Sequence, residues 1–162
     1  MKLTSSAFKN GSEIDQRHTV EGEDVSPDLA WTDIPTGTQS LALICDDPDA
    51  PSPRKPAANP WVHWIVFNIP AQASGLPTGV ERTLEPQAIS GARQGINSWP
   101  VDNVGYRGPA PPPGSGKHRY VFQLYALDSV LELDAGATKQ QLLENMDGHV
   151  LAECQLVATY ER

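Results

Sequence analysis

Apolar residues along this chain mostly follow a period of two or fill whole segments, and only one stretch keeps the period of a helix. Three segments, 40–47, 61–70 and 118–128, are dense in aliphatic, β-branched and aromatic residues and are flanked by Pro or Gly, so they read as strands. The second and third are apolar on both alternating faces, which predicts central positions between layers. Weaker strand patterns occupy 2–8, 29–34 and 154–161. The helical stretch is ATKQQLLENMDGHV, 137–150. Thr138 suits an N-cap, Leu142, Leu143 and Met146 fall on one face, and Gly148 suits a stop. Two long irregular stretches, 47–60 and 69–115, separate these elements. Loops of that length inside a compact domain usually carry function. The pattern predicts a mainly β domain with two antiparallel layers and one or two short peripheral helices.

At 162 residues the chain can bury one core without metal or disulfide staples, so a single domain over 1–162 is expected. Hydrophobic residues make up 39% and charged residues 20%, the balance of a soluble globular protein. Acidic residues outnumber basic ones by 20 to 12, a formal net charge of -8. That weighs against general nucleic-acid binding, which rests on Lys and Arg at phosphates. The N-terminus MKLTSSAFKNG holds no apolar segment of signal-peptide length, and no stretch approaches a membrane span, so a cytoplasmic protein is expected. Cys45 and Cys154 stand far apart, outside any C-x-x-C or zinc-ligand spacing, and read as free thiols. No metal and no cofactor is implied.

The seam GYRGPAPPPGSGKHRYVFQLYALD, 105–128, raises three readings. A phosphate-binding P-loop fails: Pro111 stands where the first Gly is required, His118 replaces the Ser/Thr, and Pro has no N–H to offer. PAPPP could be a polyproline ligand for a partner domain, or only a stiff loop over a sheet edge. The third reading makes the run the lip of the protein's own pocket, and residues elsewhere support it. CDDPDAPSP follows a predicted strand, and Asp47 and Asp49, two apart, would present both carboxylates on one side of extended backbone. His63 lies in an apolar strand between Trp61 and Trp64, and His118 and Tyr120 share a strand face. Singly, each has an ordinary structural explanation: a core imidazole, an Asp-Pro-Asp turn, a buried phenol. Together they bring carboxylates, imidazoles and a phenol to strand ends beside the long loops. The same set could serve a hydrolase, metal-assisted through two Asp and two His, although no G-x-S-x-G or H-E-x-x-H motif is present.

On DPDAP, VHWIVFNIP and the 105–128 seam, the sequence resembles the phosphatidylethanolamine-binding protein family, above all its bacterial Raf-kinase-inhibitor-like branch. GEDVSPDLAW and GHVLAECQLVATYER extend the likeness over nearly the whole chain. The resemblance implies a Greek-key antiparallel β-sandwich with a small cavity near one end. That cavity is expected to bind an anion such as phosphate, acetate or a phospholipid headgroup, without catalysis, in a regulatory or inhibitory role toward a kinase or protease. Carried over residue by residue, it holds Asp47, Asp49 and Pro51 from the first motif, Trp61 and His63 from the second, and Gly108, His118 and Tyr120 from the third. An aspartate is expected to accept an imidazole N–H. The other ring nitrogen, a backbone N–H near Gly108 and the Tyr120 hydroxyl would then meet the anion. Arg54 and Lys55 would draw anions to the mouth. Residues 100–103 depart from the family pattern, and the eukaryotic members' C-terminal helix is not expected after Arg162, which implies a more open mouth. The resemblance also admits a homodimer.

Overall fold

The computed structural model describes residues 1–162. A small antiparallel sheet joins β1 (Lys2–Thr4), β2 (Leu29–Thr32) and β5 (Gly75–Leu76), with β2 in the middle. A large one joins β3 (Ser40–Asp47), β4 (Trp61–Pro70), β6 (Arg93–Gln94), β7 (His118–Leu127) and β8 (Val150–Tyr160), in the order β6-β4-β3-β7-β8. β3 pairs with β4, but the chain then returns on the far side of β3, the long connection of a Greek key.

The large sheet carries an apolar cluster on each face. Toward the small sheet, Leu41, Leu43, Trp64, Val66, Phe122 and Leu124 pack with Leu3, Leu29 and Trp31. On the opposite face, Ala42, Ile44, Ile65 and Phe67 meet Leu131, Leu142 and Met146. β4 is therefore buried on both sides, as its continuous apolar run predicts, and β3 beside it is buried likewise. β7 is central in the sheet as expected, yet it alternates between buried and half-exposed positions because its second face is only partly covered.

The helix α1 (Lys139–Met146) is shorter than its pattern predicts. The Thr138 side chain accepts the Gln141 N–H and the Gln141 side chain accepts from Thr138, a reciprocal cap. Leu142 and Met146, one turn apart, are buried, whereas Leu143 lies about 100° further round and is 39% exposed. Gly148, at φ +78, turns the chain out of the helix. The next residues open β8, which begins at Val150 rather than at 154. β5 and β6 lie inside the stretch expected to be irregular; two-residue strands are too short to show a period.

Candidate functional site

Three strand ends meet at one edge of the large sheet. β3 stops at Asp47, directly opposite Trp61 at the start of β4. The β3–β7 register pairs Asp46 with Val121, so Asp47 comes next in line with Tyr120. Strict alternation along β4 would turn His63 away from the sandwich side, because Trp64 already faces it. A bulge prevents this: Cys45 opposes Trp64 and Asp46 opposes Val62, leaving His63 as the extra residue without a partner in β3. His63 is thereby re-aimed to the side of Asp47 and Tyr120, and its ring meets Tyr120 edge-on with centroids 5.0 Å apart.

A cavity of about 220 Å³ opens there, lined by Asp47, Ala50, Pro51, Trp61, His63, Trp99, Ala110, Pro111, Pro112 and His118. The proline run is thus a wall of the protein's own cavity. Trp61, 40% exposed, packs edge-on to Trp99 at the rim.

The hydrogen bonds set the polarity of the floor. His118 is fully buried, and its Nδ1 donates to Asp47 Oδ2 at 2.7 Å while Nε2 lies 3.0 Å from Ser115 Oγ. Asp47 Oδ1 accepts the Asp49 N–H at 2.8 Å, so both carboxylate oxygens are engaged. His63 Nδ1 lies 2.6 Å from the Arg107 carbonyl. A carbonyl can only accept, so Nδ1 carries the hydrogen and Nε2 is left as a bare acceptor. Burial pushes the His63 pKa down to about 4, so the ring is neutral at neutral pH. The Tyr120 hydroxyl is buried near Asp47 and makes no hydrogen bond of normal geometry. Burial first, then the nearby Asp47 charge, holds it protonated far above the ordinary phenol range. The floor therefore offers an engaged carboxylate, a bare imidazole nitrogen and an orphan hydroxyl.

Five of the expected residues converge on this cavity: Asp47, Pro51, Trp61, His63 and His118. Tyr120 lies just behind its lining. Asp49 does not face it. The strand ends at Asp47, so the two-residue alternation no longer applies, and Asp49 turns to Arg119, accepting from its N, Nε and Nη2, each at 2.9 Å. The guanidinium holds Asp49 below the usual carboxylate range. Gly108 is also placed differently from expectation. Its N–H donates to Asp24 Oδ1 at 2.7 Å and is not free for an anion. Its lack of a side chain matters for packing, since a Cβ would stand 2.2 Å from the His18 carbonyl oxygen. Arg54 and Lys55 are exposed and unpaired. Asp47, Asp49, His63 and His118 do not converge as a metal-ligand set. Sequence reasoning missed Trp99 and Ser115. Trp99 stands alone in an irregular stretch, where no periodicity points to it.

Residues 4–161 match the family model described as phosphatidylethanolamine-binding protein. The chain belongs to the phosphatidylethanolamine-binding protein family. It is 47% identical to a UPF0098 protein of Methanothermobacter thermautotrophicus, over 100% of this chain and 99% of the relative. Among solved structures it resembles the family homolog CT736 from Chlamydia trachomatis, at 41% identity and TM-score 0.84, covering 99% of this chain and 96% of that one. E. coli YbcL, described as a member of the mammalian family, matches at 31% identity and TM-score 0.85, covering 99% and 98%. No helix is long and apolar enough to cross a membrane.

Proposed function

We propose that the cavity is a binding site, not a centre of turnover, for a singly protonated oxyacid group such as a phosphate monoester or headgroup phosphate. The orphan Tyr120 hydroxyl beside the bare His63 Nε2 carries this reading. A buried hydroxyl without a partner costs about 1–3 kcal/mol, and a ligand oxygen on the floor would relieve it. The imidazole nitrogen needs a donor, which a P–OH supplies and a dianion lacks. The Asp47 charge opposes a dianion as well. The family name favours phosphoethanolamine among the candidates. On the family likeness alone, a protein contact at this rim is expected with a kinase or protease.

The test is calorimetric titration of phosphate, phosphoethanolamine and acetate into wild type and Tyr120→Phe at pH 5.5 and 8. Phosphate monoesters gain their second charge near pH 6, so affinity should fall at least tenfold between the two conditions. The variant should bind about tenfold more weakly at pH 5.5, the loss of one hydrogen bond. Equal affinity at both pH values, or an unaffected variant, would refute the reading.

One observation favours a second reading. Ser115 Oγ, His118 and Asp47 stand in the order of nucleophile, base and orienting acid. In an ester hydrolase, Ser115 Oγ would attack the acyl carbon as its proton passed to His118 Nε2. The alcohol would leave with that proton, and water would then release the acyl group. Neither Ser115 nor Tyr120 lines the cavity, but Tyr120 packs on His63, which does, and its hydroxyl lacks a partner, whereas Ser115 Oγ is already engaged with His118; this reading therefore comes second. Hydrolysis of p-nitrophenyl acetate above the buffer rate, abolished by Ser115→Ala, would move it first; equal rates in both proteins would end it.

A further inference from the structure

Adjoining the first cavity through Trp99 is a second one of about 450 Å³, bounded by Arg82, Asp102, Asn103, Val104 and Arg107. Its two arginines share one carboxylate. Asp24 Oδ2 accepts from Arg82 Nη2 at 2.7 Å and lies 3.3 Å from Arg107 Nε, while Oδ1 is occupied by the Gly108 N–H. The Asp24 backbone carbonyl also accepts from Arg82 Nη2. Arg82 is thus anchored, but Arg107 is not. Its side chain is only 22% exposed, yet its Nε is buried without a hydrogen bond and neither terminal nitrogen has a partner. The guanidinium carbon stands 5.2 Å from the centre of the Trp99 ring, which holds the group in place. Glycine shapes the approach. Gly105 sits at φ +79, and a Cβ there would come within 3.1 Å of Arg82 Cα, so only glycine lets the 102–107 loop close onto Arg82.

The Arg107 guanidinium is oriented and largely buried; its only counter-charge is the carboxylate it shares with Arg82, 3.3 Å away and outside hydrogen-bond geometry, and its terminal nitrogens have no partner in the chain. Two arginines share Asp24, and Asp102, exposed on the rim and paired with nothing, brings the formal charge of the group to zero, so the site tolerates one negative charge at the Arg107 fork and opposes a second. The planar fork of Arg107 matches a carboxylate's two oxygens. We propose that this cavity is a second ligand site, for the carboxylate group of a small molecule, held by the free fork of Arg107 beside Arg82. Arg107 then serves both cavities: its carbonyl fixes the His63 tautomer and its side chain takes the second ligand.

The test is an NMR titration of ¹⁵N-labelled protein with acetate and, separately, inorganic phosphate, at pH 7.5 and constant ionic strength. Wild type, Arg107→Gln, Arg107→Lys and Asp102→Asn are compared. Acetate should give saturable shifts at Asn103, Val104 and Arg107. Arg107→Gln should weaken them at least tenfold, and Arg107→Lys should recover little, because a point charge lacks the fork. Phosphate should bind more weakly than acetate in wild type and gain at least threefold in Asp102→Asn. Shifts that rise linearly without saturating, that persist in Arg107→Gln, or that appear around His63 and Tyr120 instead would overturn the proposal. Should Arg107→Gln disturb the fold, Asp102→Asn, an exposed loop change, still decides: no gain in phosphate binding overturns it.

Discussion

Adjacent residues of β4, His63 and Trp64, feed two buried polar clusters that finish differently. Around Trp64 every end is tied. Its Nε1 donates to Gln94 Oε1 at 2.7 Å, and Gln94 Nε2 donates to the carbonyls of Glu81 and Thr83 at 2.6 and 2.7 Å. Around His63 the ends are loose: Nε2 has no partner and the Tyr120 hydroxyl beside it has none. Trp64 and Gln94 are sealed inside the core, whereas His63 lines the cavity, so the two clusters also differ in what can reach them. A completed network fixes the position of β6 and the loop before it. An incomplete one leaves polar atoms whose partners must come from outside the chain.

The comparison breaks most visibly at Gln94. Gln94→Leu would leave the Trp64 indole N–H unpaired inside the core and release two carbonyls of the part-buried 81–83 loop, an expected loss of about 2–4 kcal/mol in urea unfolding. Ligand affinity of the folded fraction should be unchanged. A loss below about 1 kcal/mol would mean that this cluster is no more structural than the one around His63.

His63 gives the next effect, through pH. Its pKa in the fold is about 4, below the ordinary 6.5, because burial disfavours the charged ring. Between those values the unfolded chain binds a proton that the folded chain refuses. Stability is therefore complete above pH 6.5 and falls as pH drops toward 4, by about 3 kcal/mol from this group. His63→Gln should flatten the decline, measured as urea midpoints at pH 7 and 4.5. Asp49 does not confuse the window: its depressed value adds stability that is lost only below the ordinary carboxylate range. An unchanged slope in His63→Gln would show that the ring is not held neutral. Tyr120→Phe comes third and separates the clusters most cleanly. Removing an orphan hydroxyl should leave stability within about 1 kcal/mol of wild type, or raise it, while ligand affinity at pH 5.5 falls about tenfold.

These contrasts also show what the sequence made legible. β3, β4 and β7 were readable because each is dense in apolar residues between Pro or Gly, and α1 because Thr138 caps it, Leu142 and Met146 share a face and Gly148 stops it. The family likeness brought Asp47, His63 and His118 to one cavity, but alternation alone would have turned His63 away. The bulge that re-aims it depends on the β3–β4 register, and no local pattern encodes register. Gln94 gave no signal, since its importance lies in three partners distant in sequence. Trp99 and Arg107 were equally silent: their stacking joins two points of one irregular loop. What escaped was long-range pairing, where residue type is visible but its partner is not.

The smallest expected effect tests the one place where spacing misled. Asp47 and Asp49 look equivalent in DPDAP, yet Asp47 is tied to His118 inside the cavity and Asp49 to Arg119 outside it. The Arg119 side chain is 58% exposed, so water and salt screen this pair. Asp49→Asn should cost less than about 1 kcal/mol in urea unfolding and leave phosphate affinity at pH 5.5 unchanged. Asp47→Asn removes the charge that opposes a dianion, so it should at least halve the fall in phosphate affinity between pH 5.5 and 8 on a logarithmic scale. If Asp49→Asn instead changed affinity as much as Asp47→Asn, the Arg119 pair would have to open when ligand binds. Asp49 would then belong to the site, as alternation along an extended strand first predicts.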